Sequence, residues 1–281
     1  MDRINPFASR LMMAINERGP LCVGIDPHPA LLTDWGLPVN PTGLARFALT
    51  AVEAVAGEVA AIKPQSAFFE AHGSAGIAVL ERVVQAAQAA GALVILDVKR
   101  GDIGSTMAAY AAAYLADGAP LAADAITVSP YLGFGSLAPA LDLAHATGRG
   151  VFVLALTSNP EGGAVQRADG GRGRPVAQAV VDGAAERNAG ATPLGGVGVV
   201  IGATVGRLGI NIENLNGPIL APGFGQQGGT VADLRALFGS ELGHVLPSTS
   251  RDVLRHGPDQ RLLRDAALRV RDVVISPSLG R

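Results

Sequence analysis

The chain of 281 residues has a single cysteine, Cys22, so no disulfide can form within it and no thiolate cluster can hold a metal. Charged residues make up only 16%, the formal net charge is −2, and no long basic tract is present, which argues against nucleic acid or an anionic membrane as the main partner. Aromatic residues are scarce at 4%. No run of eighteen uninterrupted apolar residues occurs, so no membrane span is expected. The first twenty residues, MDRINPFASRLMMAINERGP, carry charges at both ends and lack the apolar stretch of a signal peptide. A cytoplasmic protein is expected.

Aliphatic residues are abundant. At 48% apolar, the composition supports a large core. Short apolar runs recur as LCVGI (21–25), VAAIK (59–63), ALVILD (92–97), AITVS (125–129), VFVLAL (151–156), GVGVVI (196–201), PILA (218–221) and HVLP (244–247). Their near-continuous hydrophobicity suits strands covered on both faces. Helical patterns lie between them. Asn40-Pro41 supplies an N-cap and a first-turn proline, after which Leu44, Phe47, Ala48, Ala51, Val52 and Val55 form one stripe. Ile77, Leu80, Val84 and Ala87 form another, closed by Gly91. Leu262, Leu263, Ala266, Val270, Val273 and Val274 mark the last helix. Phe7, Leu11 and Ile15 suggest an N-terminal helix covering one end of the fold. The expected class is α/β, a single-domain (β/α)8 TIM barrel over residues 1–281 with an N-terminal helix; a doubly wound open sheet is the alternative.

In such a barrel the carboxyl ends of the strands build the site. Read in order, those ends carry Asp26, Lys63, Asp97 with Lys99, Ser129, Thr157 with Ser158, the glycine-rich loop APGFGQQGGT (221–230), and Arg251 at a helix start. The last two fall after strands seven and eight, where barrels often hold a phosphate on backbone N–H groups and an arginine. A phosphorylated small molecule is the expected ligand. The Arg167, Arg172 and Arg174 cluster reads as one mobile loop, and PEGGAVQRADGGRG (160–173) is a candidate lid.

LDVKRGDIGST (96–106) concentrates charge where a buried strand ends. Residues 97 and 99 of an extended strand project to the same side, with Asp102 following in the loop. If the three gather, Lys99 lies between carboxylates that favour its protonated form. A protonated lysine is a poor imine-forming nucleophile and a good proton donor to a carbanion. A structural ion-pair network is the plainer alternative.

This stretch, an Asp-x-Lys-x-x-Asp motif with Ile103 and Thr106, resembles the orotidine 5′-phosphate decarboxylase family. GIDP, AIKPQSAFFE, LTSNPEG and APGFGQQGG support the resemblance in the right order over nearly the whole chain, and TSNP and SPYLG resemble its longer bacterial branch. The resemblance implies a cofactor-independent, metal-free conversion of orotidine 5′-monophosphate (OMP) to UMP. Lys99 would protonate C6, with Asp97 beside the substrate carboxylate. Asp102, Ile103 and Thr106 would cross a homodimer interface into the partner's site. Asp26 and Lys63 would hold the ribose, Ser158 the pyrimidine edge, and Gln227 and Arg251 the phosphate. Gln226 and Thr157 remain alternatives for two of these contacts, and His28 has no role beyond a tight turn. A magnesium-dependent phosphosugar decarboxylase or synthase on the same scaffold would need a further acidic ligand, for which Glu70 is available. A non-catalytic sensor of phosphorylated ligands is the other alternative.

Overall fold

The computed structural model describes residues 6–171 and 173–276. Its eight strands are β1 (Cys22–Ile25), β2 (Ala61–Pro64), β3 (Leu93–Arg100), β4 (Ala125–Val128), β5 (Gly150–Leu156), β6 (Val197–Ile201), β7 (Ile219–Pro222) and β8 (Val245–Thr249). They follow one another in sequence order and close into a parallel barrel, with helices between them. The fold is a TIM barrel, and closure of the sheet sets aside the doubly wound alternative. Each run coincides with an observed strand to within a few residues; β3 is the longest, extending three residues beyond its apolar stretch to Arg100.

The chain divides into two compact units, Met1–Arg10 with Lys99–Pro247, and Leu11–Val98 with Ser248–Arg281. In the second, β1 and β2 pair with Gly24 opposite Lys63, and β8 pairs with β1 through Ser248 and Thr249. The helix Pro41–Val55 starts where expected: the Asn40 side chain accepts a hydrogen bond from the Gly43 N–H at 3.0 Å, and the whole predicted stripe is buried. The last helix, Gln260–Ile275, departs from its predicted stripe. Leu263, Ala266 and Ala267 face inward, while Leu262 and Val273 are exposed. Small alanines make the contact surface there, and an apolar count alone overstates its width. His28 turns the chain, its carbonyl accepting from Leu32 N–H, and its ring lies 4.2 Å from that of Phe68.

In the first unit, β4, β5 and β6 pair in register. The N-terminal helix, Phe7–Arg18, sets Phe7 edge-on against Phe152 at 5.9 Å and over Gly150, at the start of β5. Only glycine leaves room there for the ring.

Candidate active site

In the unit containing β1 and β2, the candidate side chains form a buried charge cluster. The Lys63 ammonium lies 2.8 Å from Oδ2 of Asp97, and both side chains are 7% exposed. Gln65 Oε1 accepts from the same ammonium at 3.4 Å. Burial by itself would lower the pKa of Lys63, but the charges of Asp97 and Asp26 together outweigh it and hold the group above the ordinary lysine value. Two charges removed from water in this way are costly unless paired, and such pairs add little net stability. Their place at the carboxyl ends of strands points to chemistry.

Beside this pair, Oδ1 of Asp26 and the hydroxyl of Ser250 are buried with no hydrogen-bond partner among the described residues. Both flank Gly24, where a Cβ would lie 3.0 Å from Ser250 Cβ and 3.2 Å from an Asp26 carboxylate oxygen. Unsatisfied buried polar atoms are rare, and two on one glycine suit a polar ligand group. Arg251 is exposed at the start of the short helix Arg251–Leu254 and pairs with no described residue. Cys22 is fully buried nearby, and burial pushes its thiol pKa up to about 12, so it is chemically quiet.

The other unit carries the rest. Lys99 has φ +45°, a left-handed conformation that β-carbon sterics make uncommon outside glycine. The backbone thus departs locally from extended geometry within β3, which runs on to Arg100. Its N–H donates to Thr127 Oγ1 at 3.0 Å, and Ser129 N–H donates to the Arg100 carbonyl at 2.8 Å. Gly101 packs so closely on the Ser129 carbonyl that a Cβ would overlap it. The end of β4 thus pins the motif's backbone. Asp102 is half-buried and accepts from Ile103 N–H at 2.7 Å; Ile103 and Thr106 are exposed.

Thr157 and Ser158 follow β5. Gln166 engages both the N–H and the hydroxyl of Thr157, whereas the Ser158 hydroxyl is exposed and bonds to no described residue. Gln227 is likewise unengaged, its side chain folding toward Gly223, while Gln226 is already engaged. The glycine-rich loop is stitched by Gly225 N–H to Gly229 O at 2.8 Å and Gly228 N–H to Gly225 O at 2.7 Å. The following helix, Val231–Phe238, differs from expectation at its start. Thr230 and Asp233 form a reciprocal capping box, so a carboxylate lies at the helix N-terminus and satisfies the Thr230 N–H, while the Thr230 hydroxyl satisfies the Asp233 N–H.

The segment expected as a mobile loop is partly built. It contains a turn of 3₁₀ helix, Pro160–Gly162, and a short helix, Gly163–Gln166. The Arg167 guanidinium donates to the carbonyls of Arg207 and Leu208 at 2.6 and 3.0 Å, and Arg174 pairs with Asp182 at 2.8 Å. Arg172 lies outside the described residues. A cavity of about 740 Å³ in this unit is lined by Phe7, Arg149, Arg187 and Val197, at the amino ends of β5 and β6, opposite to where the candidate side chains stand.

Residues 19–264 match the model of the orotidine 5′-phosphate decarboxylase / HUMPS family. The chain belongs to that family. It is 62% identical over 264 residues, 94% of this chain and 95% of the other, to an orotidine 5′-phosphate decarboxylase of Salinispora arenicola. It is 60% identical over the same share to the Streptomyces coelicolor enzyme. A crystal structure from Streptomyces avermitilis, assigned to the same decarboxylases, superposes with a TM-score of 0.94 at 57% identity, covering 96% of this chain and 95% of that one. Leishmania donovani OMP decarboxylase superposes with a TM-score of 0.75 at 29% identity, covering 96% of this chain.

Two residues escaped the sequence reading. Ser250 is legible only through its missing partner, since STSR shows three hydroxyls with nothing to rank them. Gln166 stands nine residues from Thr157 in a glycine-rich segment where sequence gives no sign of a contact.

Proposed function

We propose that this protein decarboxylates OMP to UMP and carbon dioxide in pyrimidine synthesis. What carries the reading is the buried Lys63–Asp97 pair, at 2.8 Å, in a chain about 60% identical over 94% of its length to orotidine 5′-phosphate decarboxylases. In the reaction the bond between C6 and the carboxylate breaks, its electron pair stays on C6, and Lys99 delivers a proton there. The positive charge of Lys99 stabilises the developing carbanion before transfer. Asp97, paired with Lys63, faces the substrate carboxylate, and the repulsion is relieved as carbon dioxide leaves.

Asp26 and Lys63 bind the ribose hydroxyls, with Ser250 adding a donor beside them; the two unsatisfied polar atoms support this assignment. Ser158 takes the pyrimidine edge, since Thr157 has spent its polar groups on Gln166. Gln227 and Arg251 grip the phosphate, and binding energy from that remote group helps hold the base against the charges.

A homodimer is supported by an exposed apolar face. The helix Gly104–Leu115 contains no charged residue, and Ala108, Ala109, Ala112 and Ala113 are exposed along it. Ile103, Tyr131 and Leu132 in the same unit are 62%, 79% and 52% exposed. A helix apolar all round with one uncovered face suits a subunit interface. Asp102, Ile103 and Thr106 would enter the partner's site across it. Among the described residues no helix is long and apolar enough to cross a membrane, and the proposed setting is the cytoplasm.

The magnesium-dependent alternative needs a further acidic ligand, for which Glu70 is available; its carboxylate accepts the Ser66 hydroxyl at 2.6 Å. The test is a spectrophotometric assay with OMP, with and without EDTA. Turnover to UMP unaffected by EDTA is expected. Absence of turnover overturns the reading, and loss of turnover with EDTA overturns its metal-free form.

A further inference from the structure

The loop after β5 is closed on itself by a chain of side-chain hydrogen bonds. The Thr157 N–H donates to Gln166 Oε1 at 2.9 Å, and Gln166 Nε2 donates to Thr157 Oγ1 at 2.7 Å. A backbone N–H can only donate, so the oxygen of the Gln166 amide must face it, and the amide nitrogen must then face the hydroxyl. Accepting from Gln166, the Thr157 hydroxyl donates its own proton onward to Asn159 Oδ1 at 2.6 Å, and Asn159 Nδ2 donates to Glu161 at 3.0 Å. That last bond holds the Glu161 carboxyl below its ordinary pKa. All four links run in one direction toward a carboxylate, and each polarises the next.

Gly162 makes room for this clamp. A Cβ there would lie 2.8 Å from Thr157 Oγ1 and 3.0 Å from the Gln166 amide nitrogen, although its backbone, at φ −59° and ψ −30°, would accept alanine without strain. On the other side, Ser158 packs against Gly202, whose Cβ position is 3.3 Å from Ser158 N and 3.5 Å from Ser158 Cβ. Gly202 is tied to β5 by its N–H to the Leu156 carbonyl at 2.9 Å. Ser158 is therefore held between a clamped residue before it and a close backbone contact beside it.

We propose that Gln166 is a positioning residue that locks Thr157 and thereby presents the Ser158 hydroxyl to the pyrimidine edge. This rests on the decarboxylase reading above. Gln166 touches neither the base nor the reacting atoms; with Asn159 it occupies the N–H and the hydroxyl of Thr157, so that Ser158 alone can read the substrate at this strand end.

The experiment compares the wild-type protein with Gln166→Ala, Gly162→Ala, Ser158→Ala and the Gln166→Ala/Ser158→Ala double variant. Read out are kcat and KM for OMP, inhibition by UMP and by inorganic phosphate, and the melting temperature. Gln166→Ala and Gly162→Ala are each expected to lower kcat/KM roughly tenfold, the effect of one or two lost hydrogen bonds, and to weaken UMP inhibition. Phosphate inhibition and the melting temperature should hold. The double variant should be no worse than Ser158→Ala, because the two residues act as one unit. Unchanged kcat/KM in Gly162→Ala, additive losses in the double variant, or parallel loss of phosphate inhibition and melting temperature overturns the proposal. Failure of the wild-type protein to turn over OMP is a separate result and overturns the decarboxylase reading instead.

Discussion

Lys63 and Asp97 meet at 2.8 Å across β2 and β3 with almost no access to water. Lys63 lies on the strand before the one that carries the Asp-x-Lys-x-x-Asp motif. Burial opposes the charge on Lys63, and Asp97 and Asp26 overcome that opposition. The pair thus keeps a buried positive charge beside the carboxylate of Asp97.

Removing one partner should be worse than having neither. Lys63→Met leaves Asp97 buried without its countercharge and is expected to cost about 3–5 kcal/mol of stability, along with activity. Chemical denaturation at pH 7 measures the first and the OMP assay the second. The pH dependence has a definite sign. The folded pKa of Lys63 is raised, so the pair's contribution is complete below the unfolded lysine value of about 10.4 and declines as pH rises through the higher folded value. The stability gap between wild type and Lys63→Met should stay level from pH 7 to 9 and narrow only under strongly alkaline conditions.

Lys99 separates function from stability in the opposite sense. Its left-handed backbone stores strain of order 1 kcal/mol that glycine would relieve. Lys99→Ala and Lys99→Gly should both lose turnover, by at least about a hundredfold, yet the glycine variant should melt higher than the alanine one. Equal melting temperatures would show that the backbone is not under strain.

Cys22 should be invisible to thiol reagents in the native state. With a pKa of about 12 and complete burial, it offers almost no thiolate at pH 8. Labelling with a thiol-specific chromogenic reagent should proceed only after denaturation. Rapid native labelling would place Cys22 in a mobile or open region.

Ala112→Glu puts a charge on the uncovered face of the helix Gly104–Leu115 and should yield a folded monomer in sedimentation. If Asp102 serves the partner's site, that monomer is inactive. A stronger form of the test mixes Lys99→Ala with Asp102→Ala proteins: hybrid dimers regain one complete site, so activity should return on mixing. No recovery would place Asp102 in its own subunit's site or outside the chemistry.

The sequence by itself determined the α/β class and the order of its elements, while closure into a barrel was decided by tertiary pairing of the strands. Eight apolar runs buried on both faces leave few arrangements for the intervening helices, and LDVKRGDIGST placed its charges at a strand end because an apolar stretch runs directly into them. Local chemistry was equally legible at Asn40, whose side chain caps a helix three residues away. What tertiary structure decided depends on partners far along the chain. Lys63 and Asp97 are thirty-four residues apart, and nothing in either segment says that the two side chains meet. The left-handed turn at Lys99 comes from contacts with Thr127 and Ser129 at the end of the next strand. The engagement of Thr157 rests on Gln166, nine residues on, and the cap at Thr230 on Asp233. Periodicity records which residues are buried, because burial repeats along an element; it is silent on which polar atoms meet, because those meetings are made once, through space.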